Sequence, residues 1–313
     1  MAAGAASSWV MSSLTRVVIF FPQFLLGVVL CILVSTGRTT PSNSRVGAVT
    51  LDWENHILTI YHPDIPGGKI ETWYLEAYCR AGSTDRAWGE TVIGHKTVLL
   101  SKNPEGTILK LRCTLSDGVT VEHLIRAVAD GVAIELVARN NGTKPSDAHW
   151  AQPCTRVGNF TGTGETSTDD KYAYLKKSFI FQNEDEEPDF MPTAHWSEKA
   201  RYLPGQVWCP THVPRTDVNP RPLHPQAPSL GLIGCVSKDR KWILAMAWEP
   251  YQELFQGVIR CLHSDFRIGG LKPGEVKKIR GRFYIMPNDF PALVARYKKE
   301  FPEAQKSGQA TRD

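Results

Sequence analysis

A chain of 313 residues with 42% hydrophobic and 22% charged side chains has a globular composition and is long enough for one large β domain or two ordinary ones. Its 36 lysines and arginines against 32 acidic residues leave a formal charge of +4, too mild and too scattered to point to a polyanion, so nucleic acid is not expected as a partner. The sequence has no G-x-S-x-G elbow, Gly-rich phosphate loop, G-x-G-x-x-G or H-E-x-x-H, which takes most of the weight from serine-esterase and nucleotide-binding readings.

Residues 17–34 are apolar except for Gln23 and lie between Arg16 and Arg38. As a helix they would span about 27 Å, slightly less than a hydrocarbon core of about 30 Å. Two readings stay open: a secretory signal cleaved near Gly37, which Pro22 and the short run favour, or a retained membrane anchor. Either way, 1–37 is leader or anchor, 38–45 is a polar spacer, and the chain beyond is periplasmic, secreted or anchored outside the cytoplasm. Membrane contact is confined to 17–34, and only if that segment is uncleaved. Beyond Cys31 come Cys79, Cys113, Cys154, Cys209, Cys235 and Cys261. Such a compartment permits disulfides, but these thiols can equally stay buried, and the sequence does not choose. With no C-x-x-C, no metal site is expected.

The folded part opens with a hairpin over 46–51 and 56–62 about a turn at 52–55, then a strand over 69–78 carrying Thr72, Trp73, Tyr74 and Tyr78. A loop over 79–90 is rich in Arg80, Asp85, Arg86 and Trp88. Between 107 and 138 the apolar residues alternate: Leu109, Leu111, Cys113, Leu115, then Val119, Val121, then Val132, Ile134, Leu136. The pairs Asp117-Gly118 and Asp130-Gly131 punctuate them as turns. Period two over three runs predicts an antiparallel meander with one buried face. A strand is expected over 172–182 and an acidic turn over 184–189. Residues 204–228 hold seven prolines, so they are read as an ordered surface loop that does not join a sheet. Strands over 230–237, 242–248, 251–261, 263–270 and 276–286 follow, then a helix over 289–301 capped by Asp289 and a tail over 304–313.

One stretch combines a titratable group, an aromatic plate and nearby donors: after a strand ending at Asn140 and Asn141, the chain delivers His149 and Trp150, with Gln152 close behind. The tripeptide recurs as Ala194-His195-Trp196. More broadly, Trp73, Trp88, Trp150, Trp196, Trp208 and Trp248 stand near Arg80, His149, His195, Arg201, Glu249 and Gln252. Flat aromatic faces beside hydrogen-bonding groups suit a sugar, whose C–H face stacks while its hydroxyls are held. The alternative for each tryptophan is simple core filling.

The span L-V-A-R-N-N-G-T-K-P-S-D-A-H-W, the stretch A-W-E-P-Y-Q at 247–252 and the turn L-K-P-G-E resemble, in order, segments of galactose mutarotase-like (aldose 1-epimerase-like) proteins. The wording of the chain also resembles a group of secreted bacterial proteins, a likeness that implies no activity. The superfamily resemblance implies an all-β fold, a large antiparallel β-sandwich of the supersandwich type. It further implies that Glu249 takes the proton of an anomeric hydroxyl while His149 donates to the ring oxygen, with no cofactor. Substrate contacts would come from Arg80, Trp88, Trp150, His195, Trp196, Gln252 and His263.

The expectation is therefore one sandwich domain over 46–303 with a short C-terminal helix and a saccharide as ligand. Three functions stay open: sugar isomerisation of the epimerase type, non-catalytic carbohydrate binding or a cell-surface structural role, and polysaccharide cleavage by a lyase. The sequence does not specify the sugar or the oligomeric state.

Overall fold

The computed structural model describes residues 49–164, 172–183, 186–197, 206–219, 222–257 and 259–302. The leader or anchor, the spacer, Arg201 and the C-terminal tail fall outside the described residues, as do parts of the expected loops.

In chain order the first strands are β1 (Thr50–Glu54), β2 (Ile57–Tyr61), β3 (Lys69–Cys79), β4 (Val92–Ile93), β5 (His95–Lys102), β6 (Ile108–Leu115), β7 (Val119–Val128), β8 (Gly131–Asn140) and β9 (Trp150–Arg156). Then come β10 (Ser178–Phe181), β11 (Asp189–Phe190), β12 (Val207–Trp208), β13 (Leu230–Val236), β14 (Trp242–Glu249), β15 (Tyr251–Gln256), β16 (Cys261–Arg267) and β17 (Val276–Pro287). Two single-turn helices, α1 (Trp88–Thr91) and α2 (Gly158–Thr161), precede the longer α3 (Phe290–Glu300). A first sheet runs β1-β2-β3-β9-β16-β15-β12 with β4 on β3; a second runs β11-β10-β13-β14-β17-β8-β7-β6-β5. Ladders pair antiparallel within both sheets, which is the mostly antiparallel sandwich the alternation predicts.

The expected meander is β6-β7-β8, and in β6 every second residue is buried. Leu109, Leu111, Val121, Ile134 and Leu136 meet Tyr74, Tyr78, Leu254, Leu262 and Phe266 of the first sheet in one core, the sandwich's apolar filling. The far side of the second sheet is covered separately. There Phe179, Phe181, Leu232, Ile243, Ala245 and Tyr284 pack under Leu293, Val294 and Tyr297 of α3. As expected, Asp289 caps α3, its Oδ1 accepting from Ala292 N at 2.9 Å.

Among the local expectations that change, Asp189 of the expected acidic turn pairs with Ile180 as part of β11. The first hairpin turns at Asn55 and His56, both with positive φ (50° and 66°), and not at 52–55, because Asp52, Trp53 and Glu54 are already in the ladder. Only 178–181 of the 172–182 segment is strand; Leu175–Lys177 forms a 3-10 turn. The proline-rich stretch does join a sheet: Val207 and Trp208 pair with Phe255 and Leu254 at the edge of the first sheet. That is possible because 205–209 has no proline, so its N–H groups remain available. Finally, the reversal between β15 and β16 begins at Gly257, whose N–H donates to Cys261 O at 2.8 Å. Cys261 therefore opens β16 instead of closing the strand before it.

Candidate functional site

The register shift decides what the first sheet presents on its outer side. With β16 beginning at Cys261, the residues Cys261, His263, Asp265 and Arg267 share one face, while Leu262 and Phe266 point into the core. On β9, Ala151 points inward, leaving Trp150, Gln152 and Cys154 on the outer side. On β3 the ladder is irregular between Trp73 and Ala77, and Trp73 and Glu76 reach the same side. These strands are adjacent in the order β3-β9-β16-β15, so their outward residues meet.

They line a cavity of about 400 Å³ whose walls are Trp73, Trp88, Phe255 and Ile259 and whose polar groups are Glu76, Gln152, Asn219 and His263, with Cys154 and Cys261 beside them. Gln152 Nε2 donates to Glu76 Oε2 at 3.1 Å. Asn219 is drawn down by its backbone N–H, which donates to Glu253 Oε2 at 2.7 Å. Trp73 keeps 40% of its surface exposed at the rim, whereas Trp208 and Trp248 are fully buried.

Beneath the cavity runs a line of titratable groups. Cys261 Sγ lies 3.5 Å from His263 Nε2, and His263 Nδ1 lies 3.7 Å from Asp265 Oδ1. The His263 ring stacks on Phe255, with centroids 4.3 Å apart and planes 5° from parallel, which fixes its orientation. Burial works against a charge on Cys261, yet the Cys154 thiol and the His263 imidazole outweigh it and hold the Cys261 pKa below that of an ordinary thiol. For His263 burial again opposes charge, and the Cys261 sulfur with the Asp265 carboxylate raises its pKa. Cys154 is driven the other way, first by its hydrogen bond with Cys261 and then by burial. Chemically, such a group can donate and accept protons, act through a thiolate, or offer soft ligands.

A second buried constellation centres on Asp217 in the loop over the sheet. Its Oδ1 accepts from Gly82 N and its Oδ2 from Arg267 Nη1, both at 3.1 Å. Gln252 Nε2 donates to the backbone oxygen of Asp217 at 2.8 Å while its Oε1 accepts from Arg267 Nη1 at 2.5 Å. His149 Nδ1 faces Asp217 Oδ2 at 3.7 Å, and the His149 backbone bridges Cys79 O and the N–H groups of Ile268 and Gly269. This constellation fastens the 206–219 loop to the sheet.

Of the residues singled out from sequence, Trp73, Trp88, Gln152 and His263 line the cavity. His149 and Gln252 belong to the Asp217 constellation. Glu249 ends β14 opposite Arg280, and its electrostatic neighbours are Tyr251 and Tyr297, so it stands near the α3 side. Neither His149 nor Glu249 lines the cavity. Trp150 is fully buried and backs Trp88, with centroids 6.1 Å apart. Arg80 Nη1 donates to Val92 O at 2.6 Å, tying β4 to the end of β3. His195 is exposed with its ring 4.7 Å from that of His224, and Trp196 packs edge-on to Tyr172 at 5.7 Å.

Sequence names Trp73 among the aromatic faces but not among the substrate contacts, and it does not point to Glu76 as a cavity residue or to Cys154 with Cys261 as neighbours of His263. The six described cysteines are buried, unpaired thiols. The signal for the line was present in C-L-H-S-D-F-R, an alternation of reactive and apolar residues. Ending one strand at Cys261 and starting the next at His263 split it.

No family model and no curated protein sequence matches the chain. Among solved structures the chain is similar to a protein provisionally described as an aldose 1-epimerase from Escherichia coli K12, with 11% identity, 76% of this chain and 99% of that one covered, and a TM-score of 0.40. It is also similar to a galactose mutarotase-like protein from Lactobacillus casei (7% identity, 76% and 99% covered, TM-score 0.36). A third likeness is to the Slr1438 protein of Synechocystis (11% identity, 76% and 95% covered, TM-score 0.41).

Proposed function

We propose that this is an exported saccharide-binding protein whose ligand sits in the cavity on the outer side of the first sheet. The observation that carries the reading is the pairing, around one cavity, of two accessible indoles, Trp73 and Trp88, with the hydrogen-bonded Glu76 and Gln152. An indole face covers the C–H surface of a pyranose, and the carboxylate and amide take its hydroxyls. A volume of about 400 Å³ falls at the small end of ordinary ligand sites, which suits one or two sugar rings.

The same cavity holds a carboxylate, Glu76, and an imidazole, His263. Proton exchange at an anomeric centre needs such a pair, so Glu76 and His263 take the roles that the resemblance gave to Glu249 and His149. In this reading His149 positions the covering loop through Asp217.

The test is a saccharide panel screened by saturation transfer on the full-length chain, followed by polarimetry of mutarotation with the sugars that bind. Trp88→Ala should weaken binding about 10-fold, the equivalent of about 1.4 kcal/mol. Glu76→Gln should abolish any catalysed mutarotation, and His149→Ala should leave affinity within about 2-fold. Absence of binding to every sugar, or loss on His149→Ala with Trp88→Ala unaffected, contradicts the proposal.

A further inference from the structure

The cavity's inner end carries a feature that sugar binding does not require. Cys154 Sγ, Cys261 Sγ and a ring nitrogen of His263 come within 4.8 Å of one another, all buried. They belong to neighbouring strands, β9 and β16, and each is held by ladder pairing: Cys261 with Arg156, Cys154 with Trp73 and His263 with Phe255. We propose that Cys154, Cys261 and His263 form a binding site for a thiophilic d10 metal ion such as zinc, with a fourth position open to the cavity.

Four observations carry this. The donor set is two sulfurs and one imidazole, the mixture that zinc takes with three protein ligands plus one exchangeable position. Two thiolates about 2.3 Å from a tetrahedral zinc stand about 3.8 Å apart, so the separations here need only slight tightening. Behind the ring, His263 Nδ1 faces the fully buried Asp265 carboxylate at 3.7 Å, so a shift of less than about 1 Å would make the carboxylate–histidine hydrogen bond that orients a ligating imidazole. Gly257 leaves the space: a Cβ there would stand 2.1 Å from Cys261 Sγ and 2.8 Å from His263 Nε2.

Charge balance agrees. Two thiols lose their protons as a divalent ion binds, and the ion with two thiolates and a neutral imidazole carries no net charge, which limits the cost of burial. All three ligands line the cavity, so the open position faces whatever occupies it. Metal binding leaves the saccharide contacts of Trp73, Trp88, Glu76 and Gln152 in place but excludes the acid role of His263, because a ring nitrogen that ligates cannot also donate a proton.

The experiment uses the full-length chain, reduced and kept anaerobic, titrated with cobalt(II) and then with zinc. Expected are one equivalent of cobalt per chain, a thiolate-to-cobalt charge-transfer band with intense visible bands of tetrahedral cobalt, and displacement of both by zinc. Cys154→Ser and Cys261→Ser should each remove the charge-transfer signature or halve it, with circular dichroism confirming the fold. Asp265→Asn, a positioning change, should weaken zinc about 10- to 100-fold while keeping the band. Gly257→Ala should weaken zinc with both thiols still present. The proposal is overturned if the reduced wild-type chain gives no thiolate–cobalt band, or if Cys154→Ser binds zinc as tightly as wild type. A Cys154–Cys261 disulfide in the purified chain that, once reduced, leaves the thiols unable to bind metal overturns it equally.

Discussion

At the residue scale, Asp217 shows how one buried carboxylate organises a surface. It is 2% exposed and accepts from Gly82 N and Arg267 Nη1 together, with His149 facing it, so the loop that closes over the cavity depends on it. Asp217→Ala leaves Arg267 without its carboxylate, and urea unfolding should show a loss of about 3 kcal/mol; a change below about 0.5 kcal/mol would contradict the role. His123 is a second buried polar residue, hydrogen-bonded with Tyr74 Oη at 2.8 Å and Tyr78 Oη at 3.2 Å. Burial, reinforced by His95, pushes its pKa down to about 3 from 6.5. The unfolded chain therefore takes up a proton that the fold resists. The stability His123 contributes is complete above about pH 6.5 and is lost as the pH falls toward about 3, at up to about 1.4 kcal/mol per unit. His123→Gln should flatten the wild-type slope between pH 6 and pH 4 by about one proton; equal slopes would show that His123 does not titrate in this way. Neither role is visible in sequence, because Asp217 gains its partners from β16 and the 80s loop, and His123 reads simply as a member of an alternating strand.

At the element scale, legibility followed periodicity and capping. The meander β6-β7-β8 was readable because one face is core and the other solvent, so the chain alternates. Strands β13, β14, β15 and β16 are buried almost throughout, and their ends carry no alternation to mark them. That is why the β15–β16 boundary was misplaced and the line from Cys261 to Asp265 was hidden. The α3 helix was legible from its cap and apolar stripe. Asp289→Ala should lower stability by about 1 kcal/mol in chemical denaturation, and no loss would mean the Asp289–Ala292 bond is not formed in solution. Burial of Arg282 against Asp130 and Glu300 secures the other end of the helix, at 2.7 and 2.8 Å.

At the scale of the whole molecule, the two sheets share one core but differ in how their outer sides are finished. The second sheet's outer side is sealed by α3 through aromatic and aliphatic packing. Among the described residues, the first sheet's outer side bears Glu76, Gln152, His263 and Asp265 and is covered in part by α1 and the 206–219 loop. Polar residues gathered on a sheet under a partial cover are costly unless they hydrogen-bond or serve a ligand. The aromatic-and-polar composition that pointed to a sugar was legible in sequence. Sequence places that composition at His149 and Glu249, whereas neither lines the cavity: His149 faces Asp217 and Glu249 pairs opposite Arg280. The central claim is that this outer cavity is the ligand site. Its most direct test follows the tryptophan indole N–H signals by NMR during titration of the full-length chain with a binding saccharide. Trp73 and Trp88 should shift saturably while Trp208 and Trp248 stay fixed; unmoved Trp73 and Trp88 signals in the presence of a bound sugar would place the ligand elsewhere.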